Sequence, residues 1–391
     1  MTGDGVAAAR RARLNAWLER SWRRGWSQRP SLDPAALLAA ALGTGADYGP
    51  DERWRPQFER LCEGLEREAA LTPLGRTVAH GQIVAALKGR ASMQALLRRH
   101  PEIARLPLAP PIIVAGHMRG GTTRVQRLLA ADPAHAGTRL WESWTPVGGS
   151  PIARRLRARA GLSLAHWIEP AMRAVHPTSV DAVDEEFGYH ALSLWASLFE
   201  AQYRLPTFAR WCEGADASGV YQDFAMLLRI QQWQRGARPG EAVRPWVLKL
   251  PQLVQDLPLV LELFPDARLA VVTRPRGAVE ASAASLVATQ RRVQSDAVDL
   301  HEIGAEWQRK VALREERLAA GLRVAKGAVG TVDFASLDAD WEGAVARLYA
   351  GLGLRLTAQA RAAMRRYLAE AEQEPRHRHQ YRAVDFGLAP A

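Results

Sequence analysis

Two hydrophobic rhythms divide this chain. Over residues 1 to about 105, apolar side chains recur at helical spacing between polar faces, which predicts a helical region. Ser31-Leu-Asp-Pro34 marks one helix start with proline in its first turn, and Thr72-Pro73 marks another that carries Ala79 through Leu97. From 106 to about 335, short apolar runs alternate with helical stretches, the pattern of a parallel sheet linked by helices. The clearest strands are Ile112–Ala115, Trp246–Lys249, Arg268–Thr273 and Gly330–Phe334. The stretch from about 135 to 240 reads as helical without a clear strand; Asp340 to Ala371 is helical again, and an irregular basic tail begins at Pro375. The expected fold class is therefore α/β, with a central parallel sheet flanked by helices in three layers. A helical region, 1–105, would pack on an α/β domain, 106–391, that carries the helical insertion; a single domain overall satisfies the same pattern.

The first of these strands runs straight into Gly116-His117-Met118-Arg119-Gly120-Gly121-Thr122-Thr123. Strand, glycine-rich turn and helix start in that order form a phosphate-cradling loop, because the turn exposes successive backbone N–H groups at a helix N-terminus. The glycines at 116, 120 and 121 permit the tight turn, and Thr122 and Thr123 add hydroxyls to the same point. The Gly116-x4-Gly121 spacing is that of the nucleoside-triphosphate loop, yet Thr122 stands where that motif needs lysine. Arg119 supplies the positive charge instead, with a planar fork suited to phosphate or sulfate. This difference points away from kinases and ATPases and toward another activated anion. An ordinary strand–turn–helix with glycines for packing is the bland alternative.

Two further positions bear on the same chemistry. Strand Arg268–Thr273 leads into Arg274, and Ser282 follows eight residues later in a helix-like run, so both can converge on one anion. Lys249 ends the run Trp246-Val-Leu-Lys249-Leu-Pro251, and a lysine at a strand's carboxyl end points into the crevice where α/β proteins bind ligands. A surface ion pair for Arg274 and a solvated lysine at a strand edge are the competing readings.

Composition changes the picture little. Hydrophobic residues make up 48% and charged residues 24% of the 391, which is ordinary for a globular protein. The formal charge of +11 comes from arginines scattered from Arg10 to Arg382, without zinc-finger spacing or stacking aromatics, so nucleic-acid binding is not expected. No uncharged run is long enough to span a bilayer, which takes about 20 residues. No secretory signal follows the basic N-terminus, and Cys62 and Cys212 have no metal or redox spacing, which predicts a reduced, cytoplasmic setting.

Taken together, the motifs give the chain a resemblance to the bacterial sulfotransferases that use 3′-phosphoadenosine 5′-phosphosulfate (PAPS), a family with a P-loop-like fold. The resemblance runs from Leu32-Asp-Pro-Ala-Ala-Leu-Leu and Asp47-Tyr-Gly through Leu71-Thr-Pro-Leu-Gly-Arg76 and His100-Pro-Glu-Ile to the loop. It continues at Leu140-Trp-Glu-Ser-Trp, Asp184-Glu-Glu, Trp246-Val-Leu-Lys-Leu-Pro, Phe264-Pro-Asp-Ala-Arg, Arg274 with Ser282, and Tyr381-Arg-Ala-Val-Asp-Phe-Gly-Leu.

The resemblance implies sulfuryl transfer from PAPS to a hydroxyl of a small-molecule acceptor, releasing the 3′,5′-bisphosphate PAP, with no metal. The loop from Gly116 through His117, Met118, Arg119, Gly120 and Gly121 to Thr122 and Thr123 would hold the 5′-phosphosulfate end. Arg274 and Ser282 would take the 3′-phosphate, Phe334 would lie near the adenine, and the tail with His379, Tyr381 and Arg382 would close over the nucleotide. Arg119 and Lys249 would meet the charge of the leaving oxygen, and Glu185 or Glu186 would be the base, with His176 and His117 in reserve. Asp184-Glu185-Glu186 also suits an N-terminal helix turn.

Three departures stand out. Arg274-Pro275-Arg276 replaces Arg-Asp-Pro, Lys249-Leu250-Pro251 replaces Lys-Ser-Pro with Leu253 where a histidine is frequent, and Gly120 replaces a serine or threonine. They leave open altered substrate choice, weaker cofactor affinity or a catalytically impaired relative. Trp141, Trp144, Trp167, Phe187, Tyr189 and Trp195 in the insertion would suit an apolar or aromatic acceptor, or else are core. A small-molecule kinase is the other reading. It needs the absent lysine and a magnesium-holding aspartate on a second strand, where Lys249 and Thr273 stand. A homo-oligomeric state is left open.

Overall fold

The computed structural model describes residues 3–43, 45–373 and 381–389. Among them five strands form one sheet: β1 (Ile112–Ala115), β2 (Ala136–Gly137), β3 (Trp246–Leu248), β4 (Arg268–Thr273) and β5 (Val329–Asp333), in the order β2-β3-β1-β4-β5. Every pairing is parallel. Each return to the sheet therefore needs a crossover, and helices provide it. The central strands are apolar because both faces are covered: β1 and β3 are buried along their whole length.

Alternate residues of β1 serve different cores. Ile113 and Ala115 join Leu248, Leu269 and Val271 in a cluster that extends through Trp54, Phe58 and Leu87 of the N-terminal helices. Ile112 and Val114 face the other way, packing with Val125 and Leu128 of the helix Thr122–Ala131 and with Leu348 and Met364 of the last helices. The N-terminal helices thus share one continuous core with a face of the sheet.

Both helix starts read from the sequence are capped as their residue types require. Asp33 Oδ1 accepts from Ala36 N at 3.0 Å ahead of Pro34–Ala41, and Thr72 Oγ1 accepts from Gly75 N at 3.1 Å ahead of Pro73–Arg99. The segment from 135 to 240 is mainly helical but opens with β2, a strand the sequence reading lacks. Two residues cannot display a period of two, so β2 is visible only by its pairing with β3.

The chain visits β1, moves to one side for β2 and β3, then crosses to the other for β4 and β5. The crevice beyond the carboxyl end of β1 is the topological switch point where such sheets bind ligands. Gly116, Lys249, Arg274 and Phe334 each follow directly on a strand bordering it. Among the described residues no helix is long and apolar enough to cross a membrane.

Candidate functional site

The loop after β1 is a tight turn closed by Gly120 N donating to His117 O at 2.9 Å. Its backbone enters the left-handed region twice, at Arg119 (φ +68°) and Gly121 (φ +91°). At Gly121 only glycine is tolerated on two counts, since a Cβ would stand 2.0 Å from Phe334 Cδ2. The turn delivers the first amides of helix Thr122–Ala131, which have no intrahelical acceptor, to the crevice.

Arg119, Arg274, Ser282 and Phe334 meet at one place. Arg119 Nε donates to Ser282 Oγ at 3.1 Å and its Nη1 to Val175 O at 2.5 Å. Arg274 Nη1 donates to Arg119 O at 2.6 Å, and its guanidinium lies 4.9 Å from the Phe334 ring centroid. Burial, reinforced by Arg274, draws the Arg119 guanidinium below its ordinary value, with Tyr381 and Glu185 opposing. Two cations packed together with one hydroxyl form a place an anion would stabilise.

A second cluster joins the same loop through Thr123. Lys249 Nζ lies 3.5 Å from Thr123 Oγ1 and forms an ion pair with Glu185, while Lys249 N donates to Glu186 Oε2 at 3.0 Å. All three of these ionisable side chains are buried. Burial pushes the Glu186 carboxyl up to about 8. Beyond Glu185, His176 Nε2 is 3.1 Å from Asp184 Oδ1, and Asp184 also accepts from the Thr178 hydroxyl and faces Arg127 at 3.5 Å. Burial opposes both shifts, yet Asp184 raises the His176 pKa above its ordinary value, and His176, Arg127 and Thr178 hold Asp184 well below the usual carboxylate range. The donor atoms of His176, Asp184 and Glu185 lie within 4.8 Å of one another, close enough to surround a cation. The Lys249 ammonium and Arg127 already meet the two carboxylate charges.

Other residues singled out in the sequence fall elsewhere. His117 turns to Glu315 at 3.4 Å, and Met118 packs into a cluster with Val175, Trp307 and Phe386. Arg276, the extra charge of the Arg-Pro-Arg turn, is paired with Glu280 at 2.6 Å and Glu315 at 3.2 Å. Leu253 is core. Of the insertion's aromatics, Tyr189 and Trp195 belong to the main core and Trp141 to a small one, while Trp144 and Trp167 face solvent. The tail returns to the site: Tyr381 acts electrostatically on Arg119, Arg382 pairs with Asp385, and Phe386 is buried against the helix Leu300–Val324. His379 lies outside the described residues. The sequence reading missed Asp184 as the partner of His176; the only trace was a histidine eight residues before an acidic run.

A parallel sheet with a glycine-rich loop at its switch point and arginines beyond it defines a phosphate-loop-like α/β protein. The chain belongs to the sulfotransferase family, whose profile matches residues 110–358. No curated protein matches the sequence. Among solved structures, it is similar to sulfotransferase STF1 from Mycobacterium tuberculosis H37Rv, with 26% identity and a TM-score of 0.78 over 93% of this chain and 97% of that one. Sulfotransferase STF9 from Mycobacterium avium shares the fold, with 24% identity and a TM-score of 0.78 over 93% and 94% of the two chains.

Proposed function

We propose that this protein transfers a sulfuryl group from PAPS to the hydroxyl of a small-molecule acceptor, by in-line displacement and without a metal. The observation that carries the reading is the convergence of Arg119, Arg274 and Ser282 on one side of the loop with Lys249 on the other. The loop amides with Thr122 and Thr123 hold the 5′-phosphosulfate end, Arg274 and Ser282 the 3′-phosphate, and Phe334 borders the adenine. As the acceptor oxygen bonds to sulfur, the bond from sulfur to the phosphate oxygen breaks. Lys249 and Arg119 meet the negative charge left on that oxygen. Glu185 takes the acceptor's proton once Lys249 has moved to the sulfuryl group; a positioned base contributes roughly 10²–10⁴-fold. Glu186, whose carboxyl oxygen accepts from Lys249 N, fixes the end of β3.

A second assignment of the base rests on a specific observation: His176 is oriented by Asp184 at 3.1 Å. A cytoplasmic setting accords with Cys62 and Cys212, both buried free thiols.

Calorimetry with PAP and with ATP, combined with transfer assays over a panel of alcohols, tests the reading. PAP should bind in preference to ATP, and Arg119→Ala and Ser282→Ala should each weaken it by about tenfold or more. Preference for ATP would reject the proposal, and tight PAP binding without turnover on any alcohol would indicate an impaired relative. Glu185→Gln should abolish turnover while retaining PAP binding. A normal rate in that variant, with a loss in His176→Ala, would move the base to His176.

A further inference from the structure

The helix Pro151–Ile168 carries an apolar stripe that stays largely exposed among the described residues. Ile152, Leu156, Leu164 and Trp167 are 73%, 59%, 55% and 49% exposed, and at 100° per residue they fall on one side of the helix. Arg155 and Arg159 border the stripe on one flank and Arg157 on the other, all exposed, and the helix contains no acidic residue. Arg155 is paired with Asp181, and Arg157 donates to Gly148 O.

The first helix, Gly3–Arg23, continues this surface. Arg10 lies 4.9 Å from the Trp167 ring centroid. Val6, Arg13, Trp17 and Arg20 share the side of the helix that Arg10 marks, with Trp17 58% exposed. The joint surface therefore combines aliphatic residues, two tryptophans and a fringe of arginines. Aliphatic side chains at its centre have no role against a nucleic-acid backbone. A second copy docked through the same face would set arginines against arginines.

We infer that these two helices dock the protein on an anionic lipid bilayer, with the aliphatic stripe entering the headgroup boundary and the arginines meeting lipid phosphates. The docked end lies beside the candidate site. His166, on the same helix, sits close enough to Arg173 and His176 to feel their charge. The docking itself does not depend on the transfer reaction, so it can hold or fail independently.

Co-sedimentation with vesicles provides the test. Phosphatidylcholine vesicles with equal parts phosphatidylglycerol should pellet the protein at least about tenfold more strongly than phosphatidylcholine alone, and about 1 M salt should erase most of that difference. Leu156→Ser/Leu164→Ser should lose binding with an unchanged thermal midpoint, and Arg155→Gln/Arg159→Gln should weaken it by about tenfold. Absence of binding to the anionic vesicles, or equal binding by both double variants, overturns the inference. So does sedimentation velocity showing a self-associated protein that Leu156→Ser/Leu164→Ser converts to monomer, because a second copy would then cover the face.

Discussion

Gly121 is the residue with the least freedom in the site, since both its backbone conformation and the ring of Phe334 exclude a side chain. Gly121→Ala should displace Phe334 or reshape the turn, which withdraws loop amides from the anion and should weaken PAP binding by about tenfold or more. Calorimetry should show that loss for PAP while the fold persists; unchanged affinity would mean that the loop does not contact the nucleotide. Glu186 makes a second residue-scale prediction. Burial places its pKa at about 8 when folded, against an ordinary 4.5. Between these values the unfolded chain gives up a proton that the folded chain keeps, so stability falls as pH rises through the interval. Glu186→Gln removes this dependence and can still accept from Lys249 N. Its thermal midpoint should exceed the parent's at pH 8 and converge toward it near pH 5; a gap independent of pH would contradict the assignment. That Arg119, Arg274 and Ser282 come together, with Lys249 reaching Thr123 of the same loop, could be anticipated from the sequence because each follows a strand end at short range. The Lys249–Glu185 and His176–Asp184 pairs could not, because distant segments create them by packing.

At the scale of elements, the helix Leu300–Val324 holds the insertion against the sheet through buried charge. Lys310 Nζ donates to Glu200 Oε2 at 2.7 Å, Arg314 Nη2 to Glu200 Oε1 at 3.0 Å, and Gln252 Nε2 to the same Oε1 at 3.1 Å. Burial would raise the Glu200 pKa, yet Lys310 and Arg314 hold it below its ordinary value. Gln252 follows Lys249 by three residues, so this network also anchors the exit of β3. Lys310→Met leaves Glu200 and Glu213 short of a cation in the interior, which typically costs about 3–5 kcal/mol. Urea unfolding should register that loss, and a change below about 1 kcal/mol would show the network to be dispensable. Long elements were readable in advance because caps and apolar period agree, as at Asp33 and Thr72. β2 escaped because a two-residue edge strand has neither.

At the scale of the whole molecule, the strand order explains why residues more than 200 positions apart share one crevice: β1, β3, β4 and β5 all release their chains at the same edge. The four longer strands could be read from their apolar runs, but the order in which they pair could not, because it is set by contacts between distant segments. That the N-terminal helices pack on the α/β core was expected from their apolar spacing, whereas which face of the sheet they cover is decided by side-chain fit, which the sequence does not display. Under the proposed transfer, the ion pair between Lys249 and Glu185 carries a kinetic consequence. In the resting protein the two groups silence each other, so an alcohol arriving first meets neither a waiting electrophile nor a competent proton acceptor. Initial-rate measurements should therefore reveal a compulsory sequence, donor before alcohol, with PAP competing against the donor alone. Random addition would mean that the interlock is open from the start.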